Sequence, residues 1–319
     1  MILVTGGAGF IGSHLVQALL DRGEPVRVFD DLSSGRKENL ERVAGRIDLK
    51  IGDLADLEAV RGAVAGCRAV LHQAARPSVE RSIRDPLSTH RSNVLGTLHL
   101  LLAAREAGVR RIVLASSSSV YGDTPNLPKR ETDPARPKSP YALSKLAGEL
   151  YARQVWELYG LETVALRYFN VYGPRQDPES EYAAVVPRFI RAALRAEPAE
   201  IYGDGEQTRD FTFIGDVVRA NLLALSAADA VGAVINIAGG QRISVNRLHA
   251  AIAEAVGRKI APRHRQPRAG EVRDSQAATE VAERLLGFKV EVDLETGLKQ
   301  TVEHFRRLEP ASPRIAAGS

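Results

Sequence analysis

Thr5-Gly6-Gly7-Ala8-Gly9-Phe10-Ile11-Gly12 is the stretch on which the fold turns. It stands between an apolar run at residues 2–4 and a segment in which Ile11, Leu15, Ala18 and Leu19 recur at helical spacing, with Gly23 where a helix C-terminal cap falls. Glycines spaced Gly6-x-x-Gly9-x-x-Gly12 suit a tight strand-to-helix turn. Without side chains there, backbone can approach a pyrophosphate and the helix can pack closely on a sheet. The helix start then offers free N–H groups and a partial positive charge to that anion.

A Gly-rich turn alone is also an ordinary loop; its surroundings decide the reading. Apolar runs at residues 2–4, 26–29, 49–51, 69–71, 111–115 and 163–166 alternate with helical-period segments. That alternation predicts βαβ units and an α/β fold, a Rossmann-type doubly wound parallel sheet with six buried strands. Asp30 ends the second run, about 20 residues beyond the cradle, where a carboxylate accepts hydrogen bonds from an adenosine ribose. It would repel a 2′-phosphate, so NAD is expected over NADP, although Arg36 and Lys37 lie close by. Gly52-Asp53-Leu54 and Gln73-Ala74-Ala75 follow the third and fourth strands, at the sheet edge where ligands bind.

Past Arg167 the pattern loosens into short strands and helices. The expected organisation is a dinucleotide-binding domain over residues 1–171 with later segments crossing back. A smaller α/β C-terminal substrate lobe follows over 172–308, then a tail over 309–319 with little to bury. The prolines between residues 122 and 140 predict a surface loop bordering the site.

Composition narrows the function classes. The 319 residues with 44% hydrophobic content suit a globular protein with a large core. Lys and Arg number 43 against 39 Asp and Glu, and the resulting +4 is too small and dispersed to argue for nucleic acid. Cys67 is the lone cysteine, which excludes an internal disulfide and a CxxC motif and fits a reducing cytoplasm. The start at Met1 shows no signal-peptide pattern, and no apolar stretch is long enough to span a membrane. No metal site is expected.

Tyr141-Ala142-Leu143-Ser144-Lys145 places a phenol and an ammonium on one helix face. A phenol that titrates at about 10 must lose roughly 3 pKa units, or about 4 kcal/mol, to act as a base near neutrality. Lys145 and a nicotinamide ring are expected to supply that. By itself such a pair is common on surface helices. Here a Ser run, Ser116 to Ser119, also follows the fifth strand, and a Ser hydroxyl suits hydrogen bonding to a substrate hydroxyl that is losing its proton.

Taken together, TGGAGFIGSHL, GDL, HQAA, SSSSVYGD, YALSK, RYFNVYGP and GDGEQTRDF resemble the NAD-dependent epimerase/dehydratase branch of the extended short-chain dehydrogenases, over about residues 1–290. The resemblance implies a catalytic set of Ser117, Tyr141 and Lys145, with Ser118 beside the substrate. It implies NAD contacts from Gly6, Gly9, Phe10, Ile11, Gly12, Asp30, Asp31, Ser34, Gly35, Asp53, Leu54, Gln73, Ala74 and Ala75. On the nicotinamide side it adds Tyr168 and Phe169, and it gives Asn93 a structural or cofactor role. For a UDP-hexose it implies Asn170, Val186, Tyr202, Arg209, Arg268, Glu271 and Ser275, the arginines clamping the diphosphate.

The implied reaction is reversible C4 epimerisation of a UDP-hexose through a 4-keto sugar. Dehydratases carry an acid where Ser118 or Ser119 stands, so water elimination is not expected. Asp177 in place of an Arg disfavours a uronate, and the small Ser275 with the run at 175–178 and 182–184 leaves room for N-acetylhexosamines. Segments 94–104 and 141–158 resemble helices that pair into a four-helix-bundle homodimer, although a core role explains the same pattern. A UDP-sugar oxidoreductase or decarboxylase, and a non-catalytic NAD-sensing regulator, remain as alternatives.

Overall fold

Parallel strands covered on both faces are written as unbroken apolar runs, and each of the six runs lies in a strand of one sheet. The computed structural model describes residues 1–178, 184–267 and 272–308. The six strands are β1 (Ile2–Thr5), β2 (Val26–Asp30), β3 (Ile47–Ile51), β4 (Ala69–His72), β5 (Arg111–Ser117) and β6 (Glu162–Tyr168). A seventh, β7 (Val234–Ile237), joins beside β6, so the expectation of six was one short. The order is β7-β6-β5-β4-β1-β2-β3 with every pair parallel, a Rossmann-type doubly wound sheet.

The direction of winding reverses between β1 and β4, where Thr5 sits opposite His72. At such a switch point the loops beyond the strand ends diverge and leave a crevice. The buried His72 ring bridges Thr5 Oγ1 (2.7 Å) and Thr97 Oγ1 (2.9 Å), and burial lowers its pKa to about 3. It is therefore a neutral pin between β1, β4 and the helix behind them. β3 corrects a second expectation: Ile51 is 60% exposed, because β3 is the edge strand, bonded to β2 on one side.

Helices Leu57–Val64, Gly96–Glu106 and Pro140–Tyr159 cover one face, burying Val60, Leu100, Leu101, Ala152 and Val155. Phe10–Asp21 and Ile214–Ala224 cover the other through Leu15, Leu19, Val217 and Ala220. Beyond β6 three small ladders form: Val171–Tyr172 with Thr212–Phe213, Thr208–Asp210 with Arg242–Ser244, and Glu200–Tyr202 with Arg263–Arg265. Helix Ile214–Ala224 and β7, both late in the chain, return to the main sheet. The Pro-rich loop is pinned rather than free: Lys129 N donates to Gln276 O (2.7 Å), Ala278 N to Lys129 O (2.8 Å), and Asn236 N to Glu131 Oε1 (2.8 Å).

The helix that carries Tyr141 starts where its sequence dictates. Ser139 Oγ accepts from Ala142 N (3.1 Å), Pro140 takes the first turn where its missing N–H costs nothing, and Gly160 ends the helix at φ 74°. That start puts Tyr141 and Lys145 in the first two turns, beside the carboxyl end of β5.

Candidate active site

Sterics build the cradle. A Cβ at Gly12 would stand 2.0 Å from Gly6 O, and one at Gly6 would stand 2.7 Å from Ala74 Cα. No side chain fits at either place, so the loops after β1 and β4 meet backbone to backbone at the switch point. Asp30 is 6% exposed; its Oδ2 accepts from Ala8 N (2.9 Å) and its Oδ1 from Leu32 N (2.8 Å). Burial raises its pKa, and the two backbone donors counter that rise. The carboxylate is thus aimed by the turn itself, with remaining lone pairs for a ribose.

A cavity of about 750 Å³ opens over this floor. Its walls include Gly6, Gly9, Phe10, Ile11 and Gly12 of the cradle, and Asp30, Asp31, Ser34 and Gly35 after β2. Asp53 and Leu54 after β3, Gln73, Ala74 and Ala75 after β4, and Tyr141, Lys145 and Tyr168 line it as well. The length of the crevice, its glycine floor and its buried carboxylate fit a dinucleotide. Two further residues of the expected set do not line the cavity, Asn93 in keeping with the structural role also allowed for it. Phe169 is fully buried and packs with Val120, Tyr121 and Ala238. Asn93 bonds Arg76 N (2.7 Å) and Ser144 Oγ (3.0 Å), bracing the Tyr141 helix against the loop after β4.

At the inner end, Ser117 closes β5, with its hydroxyl close enough to the Tyr141 phenol to pull that group's pKa down. Ser117 Oγ also accepts from Ser119 N (3.2 Å), and Ser118 opens the following 3₁₀ turn. Lys145 Nζ donates to Ala115 O (2.9 Å) and lies 6.0 Å from the centre of the Tyr141 ring. Burial pushes the Lys145 ammonium down to about 8, against the opposing pull of Glu149. Within the chain alone, burial raises the Tyr141 pKa, and the nearby Ser117 hydroxyl offsets part of that. The nicotinamide half of the positive charge expected beside the phenol comes from outside the chain.

A second cavity of about 350 Å³ adjoins the first at Ala184 and is lined by Asn170, Val186, Tyr202 and Arg209. Asn170 Nδ2 donates to Asp210 O (2.9 Å), while Arg209 Nη1 donates to Thr208 O and Arg273 O (2.9 Å each). Ser275 lines neither cavity; its N donates to Thr208 O (3.1 Å). Arg268 and Glu271 lie outside the described residues, as do Tyr182, Ala183 and the tail from 309. Asp177 also moves: it pairs with Arg36 (2.9 Å) in the wall of the first cavity, on the adenosine side. Its charge thus carries no information about the sugar and does not disfavour a uronate.

Sequence reasoning missed three contributors. Asn221, on the returning helix, donates to the Tyr168 hydroxyl (2.8 Å), and Gln73 donates to the same hydroxyl (3.2 Å). Glu149 lies one turn beyond Lys145, and a third titratable group at helical spacing in YALSKLAGE was a legible signal. Asp210, fully buried behind Arg209, has its carboxyl pushed up to about 7 by burial. Nothing in its local sequence announces that. Among the described residues no group of His, Cys, Asp or Glu is arranged to hold a metal, and no helix is long and apolar enough to cross a membrane.

A glycine-cradled dinucleotide crevice with a Ser, Tyr and Lys at its inner end defines a class of nicotinamide-dependent enzyme. Residues 2–238 match the model of the NAD dependent epimerase/dehydratase family, and the chain belongs to that family. It is 43% identical over 309 residues to the UDP-glucose 4-epimerase of Mycolicibacterium smegmatis, covering 95% of this chain and 98% of the relative. Its fold matches the UDP-glucose 4-epimerase of Thermus thermophilus, solved with NAD, at a TM-score of 0.88 and 39% identity over 96% of this chain and 98% of that one. It is also 36% identical to a dTDP-glucose 4,6-dehydratase of Streptomyces griseus, over all of this chain and 98% of the relative. NAD is the cofactor of this family.

Proposed function

We propose that the protein interconverts the C4 epimers of a UDP-hexose. UDP-glucose and UDP-galactose are the primary pair on this reading, with UDP-GlcNAc and UDP-GalNAc also accepted. The observation that carries it is the pair Tyr141 and Lys145 in the wall of the dinucleotide crevice, the ammonium 6.0 Å from the centre of the phenol ring and anchored on Ala115 O at the end of β5. Bound NAD would supply the hydride acceptor for C4, the source of the same hydride on its return to the other face, and a positive ring that favours the phenolate. Tyr141 takes the proton from the C4 hydroxyl, Ser117 orients that hydroxyl and relays the proton, and Lys145 holds positive charge beneath the phenolate. Arg209, with Arg268, would grip the diphosphate so that the hexose can turn and present its other face before Tyr141 returns the proton. Ser118 and Ser119 offer no acid for expelling water, which favours epimerisation over dehydration.

The direct test is to incubate the protein separately with UDP-glucose, UDP-GlcNAc and UDP-glucuronate and to resolve the C4 epimers. Release of stoichiometric NADH, or of CO₂ from UDP-glucuronate, would select the oxidoreductase or decarboxylase instead. Ser275 lines neither cavity of the free chain, but its backbone is hydrogen-bonded to Thr208 beside Arg209, and on this reading a bulky side chain there would reach the sugar. Ser275→Tyr is expected to raise KM for the N-acetyl sugars about tenfold or more while sparing UDP-glucose, since a pocket that loses room for a group rejects it sterically. Competition kinetics check this, and equal loss for both sugar classes would remove Ser275 from the wall.

We further infer a cytoplasmic homodimer with residues 1–171 as the NAD-binding part and 172–308 as the nucleotide-sugar part. Leu143, Leu150 and Leu158 are 57%, 56% and 69% exposed along one helix, and Leu95 on the adjoining turn is 37% exposed. Helical spacing puts the first three on one stripe, which a two-fold-related copy would cover as a four-helix bundle. Leu143→Glu with Leu150→Glu should halve the mass seen by sedimentation. A wild-type protein that already sediments as a monomer would end the idea.

A further inference from the structure

At the adenosine side of the large cavity a cation stands where it could spoil the choice between NAD and NADP. Arg36 closes the turn after β2, its N donating to Ala8 O (3.0 Å). A Cβ on the preceding Gly35 would lie 3.0 Å from Asp30 Oδ1, so the guanidinium starts one residue from the carboxylate proposed to face the ribose. A guanidinium in that place is the natural partner of a 2′-phosphate.

Here the partner is already taken. Asp177 Oδ2 lies 2.9 Å from Arg36 Nη2, and both residues line the cavity. Asp177 reaches it from the opposite wall, on the segment 173–177 beyond the short strand Val171–Tyr172. That segment is held on three sides. His14 Nε2 donates to Pro174 O (2.9 Å), Arg175 Nη1 donates to Ser13 O (3.0 Å), and Arg175 N donates to His304 Nε2 (3.1 Å). Burial lowers the pKa of His14 to about 4 and lowers that of His304, the nearby Arg175 acting in the same direction on both, so both rings stay neutral and these bonds persist. The backbone under Asp177 is therefore preset, and only side-chain freedom is lost on pairing. An exposed pair of this kind adds little stability. Its consequence is electrostatic: the cation is neutralised, and a second carboxylate faces any 2′-phosphate.

We propose that Asp177 is a cofactor-selectivity residue, which by pairing with Arg36 across the cleft withholds that guanidinium from a 2′-phosphate and reinforces the exclusion of NADP by Asp30. The inference rests on the placement of the adenosine ribose at Asp30. Nucleotide-free full-length protein is titrated calorimetrically with NAD⁺ and, separately, with NADP⁺, as wild type, Asp177→Asn and Asp177→Asn/Arg36→Leu. Asp177→Asn is expected to tighten NADP⁺ about tenfold, the order set by unmasking one partly exposed charge, while NAD⁺ shifts less than about twofold. The double variant should lose the gain. Unchanged NADP⁺ binding in Asp177→Asn, a parallel shift of both nucleotides, or a gain that survives loss of Arg36 would each overturn the proposal. If the wild type binds NAD⁺ and only the NADP⁺ response is missing, the adenosine placement stands and this inference alone falls; if NAD⁺ does not bind, both fall.

Discussion

Tyr141→Phe is expected to lower kcat for C4 epimerisation by about 10²–10⁴-fold, the range for loss of a positioned general base. The substitution deletes one oxygen at the wall of the large cavity and leaves the ring in place, so folding and NAD retention should survive. The pH dependence follows from the direction of the shifts. Burial raises the phenol pKa and the positive nicotinamide ring would bring it down again; the base form grows as pH climbs through the resulting value, so activity should fall on the acid side. Lys145→Met removes the buried ammonium and should move that acid limb to still higher pH, besides lowering kcat. A pH–rate profile measured on holoenzyme checks both. A limb that stays in place in Lys145→Met would deny the ammonium its part, and wild-type turnover by Tyr141→Phe would sink the mechanism outright.

Glu149→Gln should cost about 3–5 kcal/mol of stability, the usual penalty for leaving one charge of a buried pair alone. Arg167 sets its fork on Glu149 through Nε (2.8 Å) and Nη2 (2.7 Å), with side chains 6% and 3% exposed. Ser116 Oγ donates to the same carboxylate, and the guanidinium lies 4.6 Å over the Tyr121 ring, whose hydroxyl donates to Asn236 Oδ1 (2.7 Å). One ion pair thus ties β5, β6, β7 and the Tyr141 helix behind the catalytic groups. The double replacement Glu149→Leu with Arg167→Met should recover most of the loss, because an apolar pair leaves no charge stranded. Urea unfolding at constant m-value reads both. A Glu149→Gln protein within about 1 kcal/mol of wild type would show the network to be loosely held.

Much of this was open to reading because its causes are local. Glycines at the cradle answer to a clash inside a single turn, and Tyr141 with Lys145 answers to helix pitch. β1, β2 and β4 to β6 are written as apolar runs because both their faces are covered. β3 escaped that logic at the sheet edge. β7 escaped it differently: Val234-Ile235-Asn236-Ile237 is short, and Asn236 interrupts the apolar run with a buried amide whose Oδ1 accepts from the Tyr121 hydroxyl and whose Nδ2 donates to Lys129 O and Ala278 O.

The amino-acid order alone therefore made the doubly wound sheet, the glycine cradle and the Tyr141–Lys145 pair legible, since apolar runs, glycine spacing and helix pitch are local, and it picked out Asp30 and Ser117 by their places at the ends of such runs. Tertiary structure decided the rest. It revealed that burial raises the Tyr141 pKa, that Asp177 pairs with Arg36 across the large cavity, and that Asn221 and Arg167 brace the site from distant segments. Desolvation and ion pairing depend on what surrounds a group in space, and residues far apart along the chain set those surroundings.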